Sequence, residues 1–474
     1  MFKEEQSFGE RFFGAAELGD KRRTARLIAL ADQMSQRPGG SLPEKFVQQK
    51  DLKAMYRLFD REEVTHEALM SPCRNHLFNE VLPERDGYTL VIHDTTELEY
   101  TKRESLSELG SIGNGWRRGF LAHHALLVCP ETGRVLGLAN QILHCRPRKK
   151  RKRQTRAQRT ASTSRESRLW CRGASVLPSS RKLVDVCDRG ADTAEFLQFE
   201  ANSGRTFLIR SKNNRNCWVG HDHGAGAEAK LHEHLRSLPP AGTWELQVSQ
   251  RSELKSPRRK GKKRKVIRQQ RTATMGCSFA AIELKLSRGR TVPPVQLWGL
   301  RVWELNPPPG QEQLEWFLLS NHPLTSFTAA WQVIGWYERR WIVEEYHKCL
   351  KTGMNIEDYQ FTSEERLEPA ICLTSIVAVT LLNLRDASRD PATENRPATE
   401  YIEAEYVEVL SSWRHGKPHM DWTVRQFVWA LAKLAGHLNR KGDHPPGWQK
   451  LWKGWREFQA MMIGARIAKR KRCG

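Results

Sequence analysis

Two apolar runs in this chain read as buried strands, and each carries an aspartate at or near its end. YTLVIHDTT (88–96) holds Asp94, and KLVDVCD (182–188) holds Asp188. A carboxylate at the end of a buried strand is costly unless it binds a metal or is well hydrogen-bonded. Strand side chains alternate faces with a period of two. His93 therefore points away from the face of Asp94 and reads as structural, and Asp185 lies on the face opposite Asp188. Asp192 reads as the cap of the helix that follows rather than as a ligand.

A third acid stands in WYERRWIVEEYHKCLKTG (336–353). At about 100° per residue this segment is an amphipathic helix. Tyr337, Arg340, Glu344, Lys348 and Lys351 share an arc of roughly 80°, and Ile342, Val343, Tyr346, Cys349 and Leu350 take the opposite side. Thr352-Gly353 is a stop signal. On charge alone, Arg340–Glu344 and Glu344–Lys348 could be ordinary i,i+4 pairs on a solvated face. Set beside two strand aspartates, Glu344 completes what a hard-cation, phosphoryl-transfer site requires.

Lys plus Arg number 77 against 54 Asp plus Glu, a formal charge of +23. Such an excess is the footprint of a polyanion partner, with a generally basic surface as the alternative. The 10 cysteines show no CxxC pair and no zinc spacing, so they read as reduced thiols of a cytosolic protein. The charged start, MFKEEQSFGERFF, is no signal peptide. The longest apolar run, 370–384, is interrupted by Thr, Ser and Asn. It reads as a core helix after Pro369 and not as a membrane span.

In chain order, 1–70 is helical, with Asp20 as the N-cap of a helix to about Met34 and a second helix near 48–59. Arg22, Arg23 and Arg26 sit in the opening turns, where cations oppose the helix dipole. DNA phosphate and a merely basic surface both explain them. Residues 71–214 alternate strand and helix signals, including a hairpin of 119–129 and 134–143 around Pro130-Glu131-Thr132-Gly133. A basic run at 146–159 reads as a loop, facing DNA or simply solvated. Residues 215–310 show several strands around a basic tract at 255–271, which suggests a β insertion. The strand 314–320 then returns, and 386–474 is helical. Trp448, Leu451, Trp452, Trp455, Phe458 and Met462 form one stripe on the last helix.

With its flanking segments, the pattern Tyr337-x2-Arg340-x3-Glu344-x6-Lys351 resembles the IS-four group of DDE transposases, of the Tn-five type. ELGDKRRTARL (17–27), VIHDTTELEY (91–100), LGSI (109–112), CDRGAD (187–192), IRSK (209–212), EWFLLS (315–320), RRWIVEEYHKCLKTG (339–353) and WQKLWKGWREF (448–458) stand in the order of that family. The resemblance implies an α/β fold: a ribonuclease-H-like catalytic domain (71–214 and 311–385) with a β-strand insertion (215–310). Helical domains flank it, 1–70 for DNA binding and 386–474 for dimerisation.

It implies a cut-and-paste transposase in which Asp94, Asp188 and Glu344 hold two Mg²⁺ ions, with Mn²⁺ as a substitute. The partners implied are double-stranded DNA, as transposon ends and target, and a second copy of the chain in a paired-end complex; no membrane is involved. Tyr337, Arg340, Lys348 and Lys351 would grip phosphates, with Arg210 and Lys212 as further contacts. Trp316 would shape a pocket for a flipped base, and Arg22, Arg23 and Arg26 would help recognise the end. The family uses this C-terminal region for dimer contacts, which makes the tryptophan stripe the expected partner surface, with an ordinary C-terminal core as the alternative. A nuclease that cuts without joining, and a non-catalytic DNA-binding regulator, are the alternatives.

Overall fold

The computed structural model describes residues 6–37, 39–46, 48–147, 155, 165–219, 227–254, 264–286, 292–440 and 443–472. The chain is a mixed α/β protein that divides into two compact units, Met1–Pro178 with Arg339–Gly474, and Ser179–Glu338.

The sheet of the first unit is built on β1 (Thr89–Glu99), β2 (Ser111–Ile112), β3 (Arg117–Val128) and β4 (Val135–His144), all antiparallel, with β3 paired to each of the others. The β3–β4 hairpin turns through 130–133 as its Pro-Glu-Thr-Gly sequence predicts, with Gly133 at φ +74. β1 runs beyond the expected Thr95. Thr89–His93 are buried and Asp94–Glu97 half-buried, so Asp94 marks where the strand leaves the core rather than where it ends.

Helices from either side of the sheet in sequence pack on β4: His66–His76, Glu364–Ala378 and Thr380–Ala387, with the more N-terminal helices packed on Glu364–Ala378. Asp20 caps Lys21–Gln36 by accepting from the Arg22 amide at 2.8 Å, and Gln49–Phe59 follows. The helix Glu364–Ala378 contains Pro369 rather than starting after it, and Thr380–Ala387 follows. The stretch Glu364–Ala387 is long and apolar enough to cross a membrane, but 83% of its most apolar window is buried inside the chain.

The last helix, Trp448–Arg472, overturns the reading of its tryptophan stripe as a partner surface. Trp448, Leu451, Trp452, Trp455, Phe458 and Met462 are all buried. Leu451, Trp455, Phe458 and Met462 share one core with Tyr406, Phe427, Val428 and Leu431. Trp455 stacks on Tyr406 at 5.7 Å and donates its indole N–H to the Gln36 carbonyl at 3.0 Å. Gly454 permits the close helix approach, since a Cβ there would stand 1.9 Å from the Leu431 carbonyl oxygen.

In the second unit β5 (Leu183–Cys187) and β6 (Thr206–Arg210) are parallel. Between them runs the helix Ala194–Ala201, capped by Thr193 and not by Asp192. Further antiparallel strands extend from β6: β14 (Glu315–Ser320), then β13 (Val295–Glu304), then β12 (Arg271–Leu284). Both β7 (Asn216–Val219), which carries β8 (Ala227–Lys230), and β9 (Gly242–Val248) pair with β12. A separate ribbon joins β10 (Arg251–Leu254) to β11 (Arg264–Arg268). Most of the basic run at 146–159, and residues 255–263 of the second basic tract, lie outside the described residues.

Candidate active site

Asp94 and Glu344 come together within the first unit, although 250 positions of sequence separate them. Asp94 projects from β1, and Glu344 from the helix Trp341–Lys348. An oxygen of each, with a ring nitrogen of His347, forms a group whose atoms all lie within 4.8 Å of one another. Among the described residues this is the one cluster of three acid, His or Cys side chains able to hold a metal ion.

Arg340 faces both carboxylates. Its Nη1 donates to Asp94 Oδ2 at 3.2 Å and stands 3.8 Å from Glu344 Oε1. Asp94 Oδ1 accepts from the Thr95 amide at 2.8 Å. The donor set suits a divalent cation: two carboxylates and an imidazole converge, and they already draw a cationic group from the chain itself.

A buried polar chain backs the site. His124, directly across the β1–β3 ladder from Asp94, sets Nδ1 at 3.1 Å from His347 Nε2. The other nitrogen of His124 is 2.8 Å from Gln141 Nε2, and Gln141 also contacts Ser375 Oγ at 2.7 Å and His66 Nε2 at 3.0 Å. Burial, then the charges of Lys351 and Arg340, push His347 down to about pKa 3. Burial, with His347 beside it, holds His124 well below the usual imidazole value. Both rings are therefore neutral near pH 7, and the lone pairs are retained.

The segment 336–353 is not one continuous helix. Its ladder breaks at Arg339–Arg340, between Phe327–Glu338 and Trp341–Lys348, and a π-helical turn, Cys349–Gly353, closes it. The uniform arc drawn from Tyr337 therefore does not hold, and Tyr337 belongs to the second unit. Lys348 is exposed, and Lys351 Nζ lies 3.8 Å from Glu357 Oε1.

Asp188, Asp185, Asp192, Arg210, Lys212 and Trp316 also sit in the second unit. Asp188 follows the fully buried β5, is half-buried, and accepts from the Gly190 amide at 2.8 Å. Asp185, buried on the other face, is bound by Arg205 at 2.5 Å, as a structural acid should be. Asp192 accepts from the Lys212 and Asn213 amides at 2.6 and 2.7 Å and pairs with Arg215. It pins that loop instead of capping a helix. Arg210 and Trp316 are half-buried on β6 and β14, and Lys212 is exposed.

Near the N-terminus, Arg23 pairs with Glu63 at 2.7 Å and Arg26 with Asp51 at 3.4 Å, while Arg22 pairs with Asp20 and is 92% exposed. The chain thus supplies its own counter-charges for cations whose placement had called for an outside partner.

His347 escaped the sequence reading. The available signal was Glu344-x-x-His347, since residues three apart share a helix face.

The family model described as Transposase DDE domain matches residues 85–380, and the one described as Transposase DNA-binding matches residues 5–64. The chain belongs to the DDE transposase family. It is a DNA transposase: a DNA-binding segment precedes a DDE domain that cuts and joins DNA with a divalent metal. The first match covers Asp94, Asp188 and Glu344, and the second covers Arg22, Arg23 and Arg26.

Proposed function

We propose that this transposase works by cut-and-paste, binding transposon ends, cleaving them through a hairpin intermediate and joining the free 3′ ends to target DNA. The meeting of Asp94 and Glu344 inside the span of the DDE match carries this reading. Asp94 and Glu344, with Asp188, would hold the divalent ions, two Mg²⁺ per site with Mn²⁺ as a substitute. Such ions lower the pKa of a nucleophilic water or hydroxyl and stabilise the leaving oxygen.

The chain's own groups do the rest. Arg340 neutralises the carboxylates until a phosphate competes for its guanidinium. Lys348 and Lys351, one to two turns past Glu344, with Tyr337, Arg210 and Lys212, grip the DNA backbone. Trp316 stacks a base displaced near the cut. Arg22, Arg23 and Arg26 serve end recognition. The catalytic domain has the ribonuclease-H-like form, 71–214 with 311–385, with the β insertion 215–310 between its parts and helical domains 1–70 and 386–474 around it. Two chains pair when two ends are bound, because one active site per chain cannot reach both ends at once.

The test is a denaturing gel of linear DNA from the flanks of the chain's own gene, incubated with Mg²⁺. Hairpins and joined products are expected; nicks alone would mean a nuclease without strand transfer. Asp94→Ala, Asp188→Ala and Glu344→Ala should each abolish cleavage and retain end binding. A variant that still cuts at a comparable rate removes that residue from the triad.

A further inference from the structure

His347 lies in this site without a role among the triad or the DNA-gripping residues. It stands one helical turn after Glu344, so the two side chains leave the same face of one helix. It is only 6% exposed, yet a ring nitrogen lies within 4.8 Å of an oxygen of both Asp94 and Glu344. Donors on a common ion, bonded at roughly 2.1 Å, stand about 3–4 Å apart, so small side-chain adjustments of about 1 Å would close the three around one cation.

The ring is also fixed from behind. His347 Nε2 faces His124 Nδ1 at 3.1 Å, and His124 is in turn held by Gln141. A metal-bound imidazole characteristically spends its second nitrogen in this way, on a fixed hydrogen-bond partner that sets tautomer and orientation. The nitrogen not engaged with His124 is Nδ1. A satisfied core histidine would also be buried and hydrogen-bonded, but nothing would require it to stand against two carboxylates from separate elements.

We propose that His347 is a third protein ligand of the ion held by Asp94 and Glu344, bound through Nδ1 while its Nε2–H donates to His124 Nδ1; His124 then carries its own proton on Nε2, and the Gln141 amide turns so that its oxygen, not its NH2, accepts that proton. The proposal rests on the reading of those two carboxylates as metal-holding. Its consequence is selectivity. Carboxylate oxygens suit Mg²⁺, whereas an imidazole nitrogen favours more borderline ions, so one nitrogen in the set raises affinity for Mn²⁺ over Mg²⁺. His124 is then a positioning residue that acts through His347.

The experiment uses the full-length protein with Mn²⁺ and no DNA, so that it reads the ligand set independently of cleavage or strand transfer. Electron spin echo modulation of the bound Mn²⁺ should show a directly coordinated ¹⁴N in the wild type. The signal should vanish in His347→Ala and in Glu344→Ala. By calorimetry, His347→Ala should weaken Mn²⁺ about tenfold or more and Mg²⁺ by less than about threefold. No nitrogen modulation in the wild type overturns the proposal, whether Mn²⁺ fails to bind or binds through oxygen alone, and this outcome needs no variant to fold. Modulation that persists in His347→Ala, or equal losses for the two ions, overturns it as well. Failure of the transposase reading would appear separately, as absent strand transfer by a protein whose Mn²⁺ still carries the nitrogen.

Discussion

Replacing Trp455 with alanine separates a core role from an interface role for the last helix. The indole is 3% exposed, stacked on Tyr406 with ring planes 8° apart, and edge-on to Phe458 at 5.9 Å. A tryptophan buries on the order of 150–250 Å², which at roughly 25 cal/mol per Å² sets an upper bound of about 4–6 kcal/mol. The bond to the Gln36 carbonyl contributes about 1 kcal/mol more. Alanine retains part of the contact area and the site relaxes in part, so the expected loss is about 3–5 kcal/mol. Trp455→Phe keeps a ring but loses the donor, and should cost about 1–2 kcal/mol. Urea unfolding followed by circular dichroism measures both. The core assignment implies a large drop in the midpoint for alanine and a smaller one for phenylalanine. If Trp455→Ala unfolds within about 0.5 kcal/mol of the wild type, as surface changes do, and yet loses paired-end complexes, the stripe is a partner surface and the packing argument is wrong.

Two further outcomes are expected. Lys45 is fully buried with its ammonium on the Gly39 carbonyl at 2.8 Å, and burial pushes it down to about pKa 7 from 10.5. Its unfolded form thus keeps a proton that the folded form sheds between about pH 7 and 10.5. Stability should fall as pH is lowered through that window, by up to roughly 1.4 kcal/mol per unit, and Lys45→Met should flatten this slope between pH 7.5 and 9 in urea titrations; an unchanged slope would place the proton elsewhere. End-DNA affinity should drop steeply with salt, with about −0.9 added to the log–log slope per neutralised phosphate. In filter binding, Arg22→Ala should lower that slope more than Arg26→Ala, because both arginines are paired with an aspartate but the Arg22 side chain is 92% exposed and that of Arg26 47%; equal changes would mean that exposure in the free chain does not decide which of them meets phosphate.

What the sequence determined alone is local and periodic. The Asp20 cap, the β3–β4 hairpin turn, the strand runs that carry Asp94 and Asp188, and the amphipathic segment with Glu344 follow from short-range sterics, capping and side-chain period, and all appear as elements. Period says which way a side chain points and not what it meets. The tryptophan stripe has the same spacing in a core as on an interface; only the packing of Tyr406, Phe427 and Leu431 against it decides for the core. Asp192 has the look of a cap until Lys212, Asn213 and Arg215 bring it donors from some twenty residues away. The exposed look of Arg23 ends with Glu63, and the helix through Tyr337 and Glu344 breaks at Arg339–Arg340. His347 meets His124 across 223 positions of sequence. Such contacts are set by chain closure over long loops, which no local spacing encodes, so the identity of the acids was legible in the sequence and the company they keep was decided by the tertiary structure.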